Sequence, residues 1–208
     1  MDAATRVGSA TNDFRGEHKL ARLTHDEELA KAATYFAEYM ARTGRYGHGA
    51  DGNSATGRAK KFGYDYCIVA ENIAYQFSSR GFSTDDLATR LFEGWRNSPG
   101  HRKNMLDPDV TETAVAIASS RDTGYFYAVQ LFGRPQSASI VFSIENRSAT
   151  VVEYTLEEQR FPLPPRVTRT HERCRPSTLT VLGKTIEPRN GQSLVIERRD
   201  GDLRVNSS

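Results

Sequence analysis

Trp95-Arg96-Asn97-Ser98-Pro99-Gly100-His101-Arg102-Lys103-Asn104-Met105-Leu106 stands where the chain changes character. Ahead of it, Leu87, Leu91, Phe92 and Trp95 repeat at the spacing of one helix face. Ser83 or Thr84 precedes Asp85 and Asp86, a cap followed by acid in the first turn. Pro99-Gly100 interrupts that helix, because proline removes a donor and disfavours helical geometry in the residue before it. Beyond the stretch the period shortens. Thr113-Ala114-Val115-Ala116-Ile117-Ala118 and Tyr125-Phe126-Tyr127-Ala128-Val129-Gln130-Leu131-Phe132 are rich in strand formers, with Arg121-Asp122-Thr123-Gly124 as a turn, which predicts a hairpin.

Working outward, residues 12–44 read as helical, since Leu29, Ala33, Phe36, Ala37 and Met40 recur three and four apart. Asp26, Glu27 and Glu28 suit a first turn and place the start near Thr24 or His25; Thr43-Gly44 ends the run. After Pro135 no helical period persists. Ile140–Ile144, Val151–Thr155, Leu179–Leu182 and Ser193–Ile196 read as short strands, with Asn190-Gly191 and Asp200-Gly201 as turns. The expected fold class is α+β, with a first domain at residues 12–134 and a small all-β domain at 136–208, close to the lower size at which a domain folds alone.

The chain has 208 residues, with 28 basic and 26 acidic side chains, 38% hydrophobic and 10% aromatic, enough apolar surface for a core. Its charge is spread evenly. Residues 1–134 carry 17 basic and 17 acidic groups, and 135–208 carry 11 and 9. Arg58-Lys60-Lys61 and Arg173-Arg175 are too small to make a nucleic-acid face, so no nucleic acid is expected as a partner. No apolar run approaches the roughly 18 residues of a membrane span, so the chain reads as not transmembrane, and Met1–Asn12 lacks a signal-peptide core.

Two further segments are chemically loaded: Tyr46-Gly47-His48-Gly49 and Ala70-Glu71-Asn72-Ile73-Ala74, each expected in or beside a loop. Two imidazoles and a carboxylate are the donor types a zinc-like ion takes, but their spacing matches no short metal motif. A metal-free polar pocket, with Glu71 accepting backbone amides and His101 hydrogen-bonded, is equally open. Ser98, three residues before His101, lacks a Gly-x-Ser-x-Gly elbow and fits a Ser-Pro-Gly turn. Arg58, Lys60 and Lys61, beside Phe62 and Tyr64, suit an anionic ligand or, more simply, a solvated face. The two cysteines, Cys67 and Cys174, leave three fates open: a thiol nucleophile at Cys67, small buried residues, or a disulfide. A bridge would close a loop of about 107 residues and stabilise by roughly 4 to 5 kcal/mol.

Ala70-Glu71-Asn72-Ile73-Ala74 followed by Trp95-x-x-Ser98-Pro99-Gly100-His101-Arg102-x-Asn104-Met105-Leu106 resembles the bacterial SCP-like branch of the CAP superfamily (cysteine-rich secretory, antigen 5, pathogenesis-related 1). Asn12-x-x-Arg15, Leu20, Leu29, His48 and Tyr127-x-x-Gln130-x-Phe132-Gly133 match as well. The resemblance covers residues 12–134 and implies a CAP-type α-β-α sandwich followed by a small β domain of unknown role. It also implies a central cavity in which His48, Glu71 and His101 hold zinc or another divalent cation. Where eukaryotic members carry a second acid, this chain has Ser98, a poor ligand. Asn72, Ser98 and Arg102 are then cavity-supporting residues, with Arg102 forked onto a carboxylate.

The function this implies is that of an exported protein, secreted or periplasmic, binding a lipid, cell-wall or protein ligand. One alternative is a metal-assisted hydrolase using Glu71 and His101. The other is a cell-surface adaptor acting through the β tail.

Overall fold

The computed structural model describes residues 1–120 and 122–207; the turn residue Arg121 lies outside the described residues. The chain forms two compact units, residues 1–137 and 138–208.

In the first unit, α1 (Ala3–Glu17) begins well before residue 12, because the Asp2 side chain accepts from the Thr5 amide and caps it. Asn12 and Arg15 of this helix act as clamps. Asn12 exchanges hydrogen bonds of 3.0 and 2.7 Å with the Leu23 backbone, and buried Arg15 donates to the carbonyls of Ala21, Met105 and Asp107. Thr24–His25 is a short strand, β1, pairing in parallel with Glu112–Thr113, so the next helix starts later than the charge pattern suggests. That helix, α2 (Glu27–Thr43), is capped by Asp26, whose carboxylate accepts from the Leu29 amide at 2.8 Å. It stops at Gly44, left-handed at φ 68°.

Next come α3 (Ala55–Lys61), β2 (Tyr66–Phe77), α4 (Thr84–Arg96, capped by Ser83), α5 (Pro99–Met105), β3 (Glu112–Ser119) and β4 (Tyr125–Pro135). The sheet order is β1-β3-β4-β2, with β3 and β2 antiparallel to β4. Period-two alternation along β4 builds two cores. Val129 and Leu131 pack with Leu29, Phe36 and Met40 of α2, whereas Ala128 and Phe132 pack with Val7, Phe14, Leu91 and Trp95 of α1 and α4. Helices therefore cover both sheet faces, the α-β-α layering expected. At Gly133 a side chain would collide with the Tyr64 phenol, which donates to Glu112.

The second unit is all-β: β5 (Ile140–Asn146), β6 (Val152–Leu156), β7 (Gln159–Leu163), β8 (Thr168–Arg173), β9 (Leu179–Val181), β10 (Lys184–Ile186), β11 (Ser193–Arg199) and β12 (Asp202–Ser207). They form two four-stranded sheets, ordered β10-β9-β6-β7 and β12-β11-β5-β8. The core is apolar, with Phe142, Ile144, Tyr154, Leu156, Leu179, Leu194 and Ile196 among its buried side chains. Asp200 and Gly201 both take positive φ and turn β11 into β12. The strands β7, β8, β10 and β12 carry too many charged and exposed residues for their sequence to announce them. Cys67 and Cys174 are each disulfide-bonded, so neither offers a thiol.

Candidate functional site

Glu71 sits in the middle of a twelve-residue strand, β2, opposite Leu131 of β4, and not in a loop. Tyr66, Ile68, Val69, Ile73, Tyr75 and Phe77 supply the strand character that the short motif hides. The Glu71 side chain is 2% exposed, so its charge needs partners, and it has them. Arg58 donates through Nη2 to both oxygens, at 2.9 and 2.7 Å, and His48 Nδ1 lies 2.8 Å from Oε1. The buried Arg58 guanidinium also donates through Nη1 to Asp51 at 2.7 Å and to the Asn53 carbonyl, and through Nη2 to the His48 carbonyl. It stacks 3.5 Å above the Phe36 ring centroid.

Two carboxylates thus bracket one cation. That Arg58 and Asp51 join this cluster is what sequence reasoning missed. Arg58 reads as part of a solvated basic face but is buried, because α3 turns its small residues Ala55 and Ala59 and this arginine inward. The available signal was a carboxylate placed among strand formers, which needs a buried cation nearby.

On α5, the His101 carbonyl accepts from Asn72 Nδ2 at 3.1 Å. Asn104 Nδ2 reaches Asn72 Oδ1 at 2.9 Å and the Glu71 carbonyl at 3.2 Å, so two amides sew α5 to β2. Asn72 therefore ties α5 to β2. His101 Nδ1 is buried with no hydrogen-bond partner. Burial first, and then the charge of His48, hold the His101 imidazole below the ordinary histidine range.

Ser98 occupies the N-cap position of α5 but makes no side-chain cap bond. Arg102 departs from expectation: it forks onto no carboxylate. It lies 5.1 Å over the Phe14 ring and 3.3 Å from His18 Nε2, on the α1 side of the helix.

An open groove of about 590 Å³ has His48, Asn53, Ser54, Val69 and Glu71 in its wall. The His48 side chain is 61% exposed there. Among the described residues no three His, Cys, Asp or Glu side chains are grouped so as to hold a metal ion. The cause is local, since Arg58 and His48 already occupy both Glu71 oxygens.

Residues 9–132 fit the sequence model of CAP, the Cysteine-rich secretory protein family. The chain belongs to the CAP family. The uncharacterized protein YkwD of Bacillus subtilis is 31% identical to the CAP chain over 130 residues, 62% of this chain and 46% of the relative. An extracellular protein containing an SCP domain from Bacillus anthracis superposes with a TM-score of 0.52 at 26% identity, over 64% of this chain and 40% of that one. The CAP chain thus spans less than half the length of either. An outer surface protein of Borrelia burgdorferi, at 21% identity and TM-score 0.54 over 62% of this chain and 89% of its own, shares the fold.

Proposed function

We propose that this CAP protein is exported and acts as a ligand-binding module whose polar receptor is centred on His48, Glu71 and His101. The observation that carries this reading is a buried carboxylate fully committed to Arg58 and His48, beside an imidazole nitrogen, His101 Nδ1, that is buried and uncommitted. Burying an unpaired polar atom costs on the order of 1–3 kcal/mol, a cost that a ligand group bonding to it would relieve. With His48 Nδ1 engaged by Glu71, its Nε2 is left for a ligand in the exposed groove. A lipid, cell-wall or protein ligand suits such a site. Likeness to an extracellular SCP-domain protein supports export. No helix of the described chain is long and apolar enough to cross a membrane.

One observation favours a second reading, a metal-assisted hydrolase. The pairing of Glu71 with His48 Nδ1 is the carboxylate–imidazole arrangement that orients histidine ligands. His48 and His101 alone would hold zinc or another divalent cation, with Glu71 orienting His48 from outside, and a bound ion would supply an acidified water. Zinc titration by calorimetry on metal-stripped protein, repeated on His48→Ala and His101→Ala, decides between the readings when followed by a hydrolysis screen. Stoichiometric binding lost in both variants, together with zinc-dependent turnover, would overturn the binding-module reading. Absent or mutation-insensitive zinc binding is the outcome expected.

A further inference from the structure

A second cavity, with no lining residue in common with that groove, lies where β2 ends and β4 begins. Tyr75 faces Tyr127 across the antiparallel register, Phe77 faces Tyr125, and Tyr46 closes the cluster from the loop after α2. Ring centroids are 4.9 Å apart for Tyr46–Tyr75, 5.7 Å for Tyr75–Tyr125 and 5.1 Å for Phe77–Tyr125, with interplanar angles of 84°, 65° and 49°. The rings are set as walls and not as a stack. Tyr46, Tyr75 and Phe77 are 46%, 50% and 57% exposed, and Met1 is the only other large hydrophobic residue exposed among the described residues of this unit. Such grouping is unusual for a surface that needs only to be wet.

The four tyrosines border a cavity of about 560 Å³, within the range of roughly 300–1,000 Å³ of small-molecule sites. Polar groups complete the rim: Arg42, Ser120, Asp122 and Thr123. One cation and one anion leave the described rim neutral. Burial first keeps the Tyr46 and Tyr127 phenols above the usual tyrosine range, so both stay protonated. The Tyr46 hydroxyl donates to the Ile73 carbonyl at 3.2 Å, which holds that wall in place before any ligand arrives.

We propose that this cavity is a sugar site for a neutral β-1,4-linked oligosaccharide. A pyranose ring offers apolar C–H faces to aromatic walls and an equatorial belt of hydroxyls to donors and acceptors such as Arg42 and Asp122. The β-1,4 linkage keeps successive rings in a flat ribbon, so neighbouring units meet neighbouring tyrosines. Among the described residues of the rim, an anion or a cation would meet no net opposite charge, and an acyl chain would find no use for the exposed Arg42, Asp122 and Thr123 groups. Tyrosine adds rigid contact area at low entropic cost. Its lining shares no residue with the His48 groove, so it stands whether or not that reading does.

Calorimetric titration of the full chain with cellotetraose and chitotetraose tests this, with phosphocholine and phosphatidylglycerol vesicles run in parallel. Saturable binding of at least one tetrasaccharide is expected. Tyr75→Ala, Tyr125→Ala and Asp122→Ala should each weaken it by about tenfold or more, the factor that corresponds to 1.4 kcal/mol, with thermal melting showing that each variant folds. Tyr75→Phe should keep most of the affinity. Failure of both tetrasaccharides to bind would overturn the proposal, as would binding unchanged in every folded alanine variant. So would capture of phosphocholine or vesicles without sugar binding.

Discussion

The two units solve burial differently. The first, residues 1–137, encloses four charged side chains among the described residues: Arg15, Arg58, Glu71 and Asp51, whose carboxylate is fully covered beside Arg58. In the second, residues 138–208, no Asp, Glu, Lys or Arg among the described residues is buried as a whole residue, and the buried polar ones are Ser139, Asn146, Ser148 and Ser177. Burying charge is expensive and contributes little to stability over an apolar substitute, so a chain that keeps it in one unit and avoids it in the other marks where specific geometry matters. In the first unit the charges hold His48 and anchor the loop around it. In the second, Asn146 serves structure alone, donating to the Thr150 and Leu163 carbonyls at 2.8 Å each.

That contrast can be broken most directly at Glu71. Glu71→Ala leaves the buried Arg58 facing Asp51 alone, and the first unit should lose about 3–5 kcal/mol, read by chemical denaturation. A loss under about 1 kcal/mol would show that the ion cluster is not the keystone of that unit. A smaller effect is expected at Asn104, which bridges α5 and β2. Asn104→Ala strands the Asn72 Oδ1 and Glu71 carbonyl acceptors, and a cost of about 1–3 kcal/mol should appear as a lower denaturation midpoint. In the second unit, Ile196→Val deletes one methylene from a fully buried position and should cost about 1 kcal/mol.

Acid sharpens the comparison, because each unit contains one histidine held below its ordinary range chiefly by burial, His101 and His171. His101 Nδ1 has no partner, whereas His171 Nε2 lies 2.7 Å from the Tyr154 hydroxyl. A lowered folded-state value means that the unfolded chain binds the proton more readily. Each contribution is therefore fully present above the unfolded value near 6.5 and is lost as the pH falls below it. Histidine titration followed by NMR should find both midpoints below those of the unfolded chain. A normal midpoint for His101 would remove the buried, uncommitted imidazole from the site. The smallest change is expected for Ser98→Ala: its side chain makes no cap bond, so stability should move by no more than about 0.5 kcal/mol in thermal melts.

Periodicity carried the first unit a long way. Apolar residues three and four apart wrote α2 and α4, and the β3–β4 pair is legible as alternating strand formers, because both patterns are local. The tail was half legible. Its core strands β5, β6, β9 and β11 show in the sequence, while β7, β8, β10 and β12 expose too many side chains to leave a period. Edges such as Thr24–His25 escape for a related reason, since two residues become a strand only when Glu112 and Thr113 arrive beside them.

The sequence by itself determined the family, the layered fold class and the identity of His48, Glu71 and His101 as the chemically loaded positions, through motif order and local spacing. Tertiary structure alone decided what those residues do to one another. Arg58, thirteen residues from Glu71, takes its carboxylate and turns a prospective ligand into an anchor for the histidine beside it. It also gathered Tyr46 with tyrosines from β2 and β4 around one cavity. Local spacing cannot encode such meetings: they depend on which strand edges pair and which buried charge finds which partner, and those are properties of the packed chain.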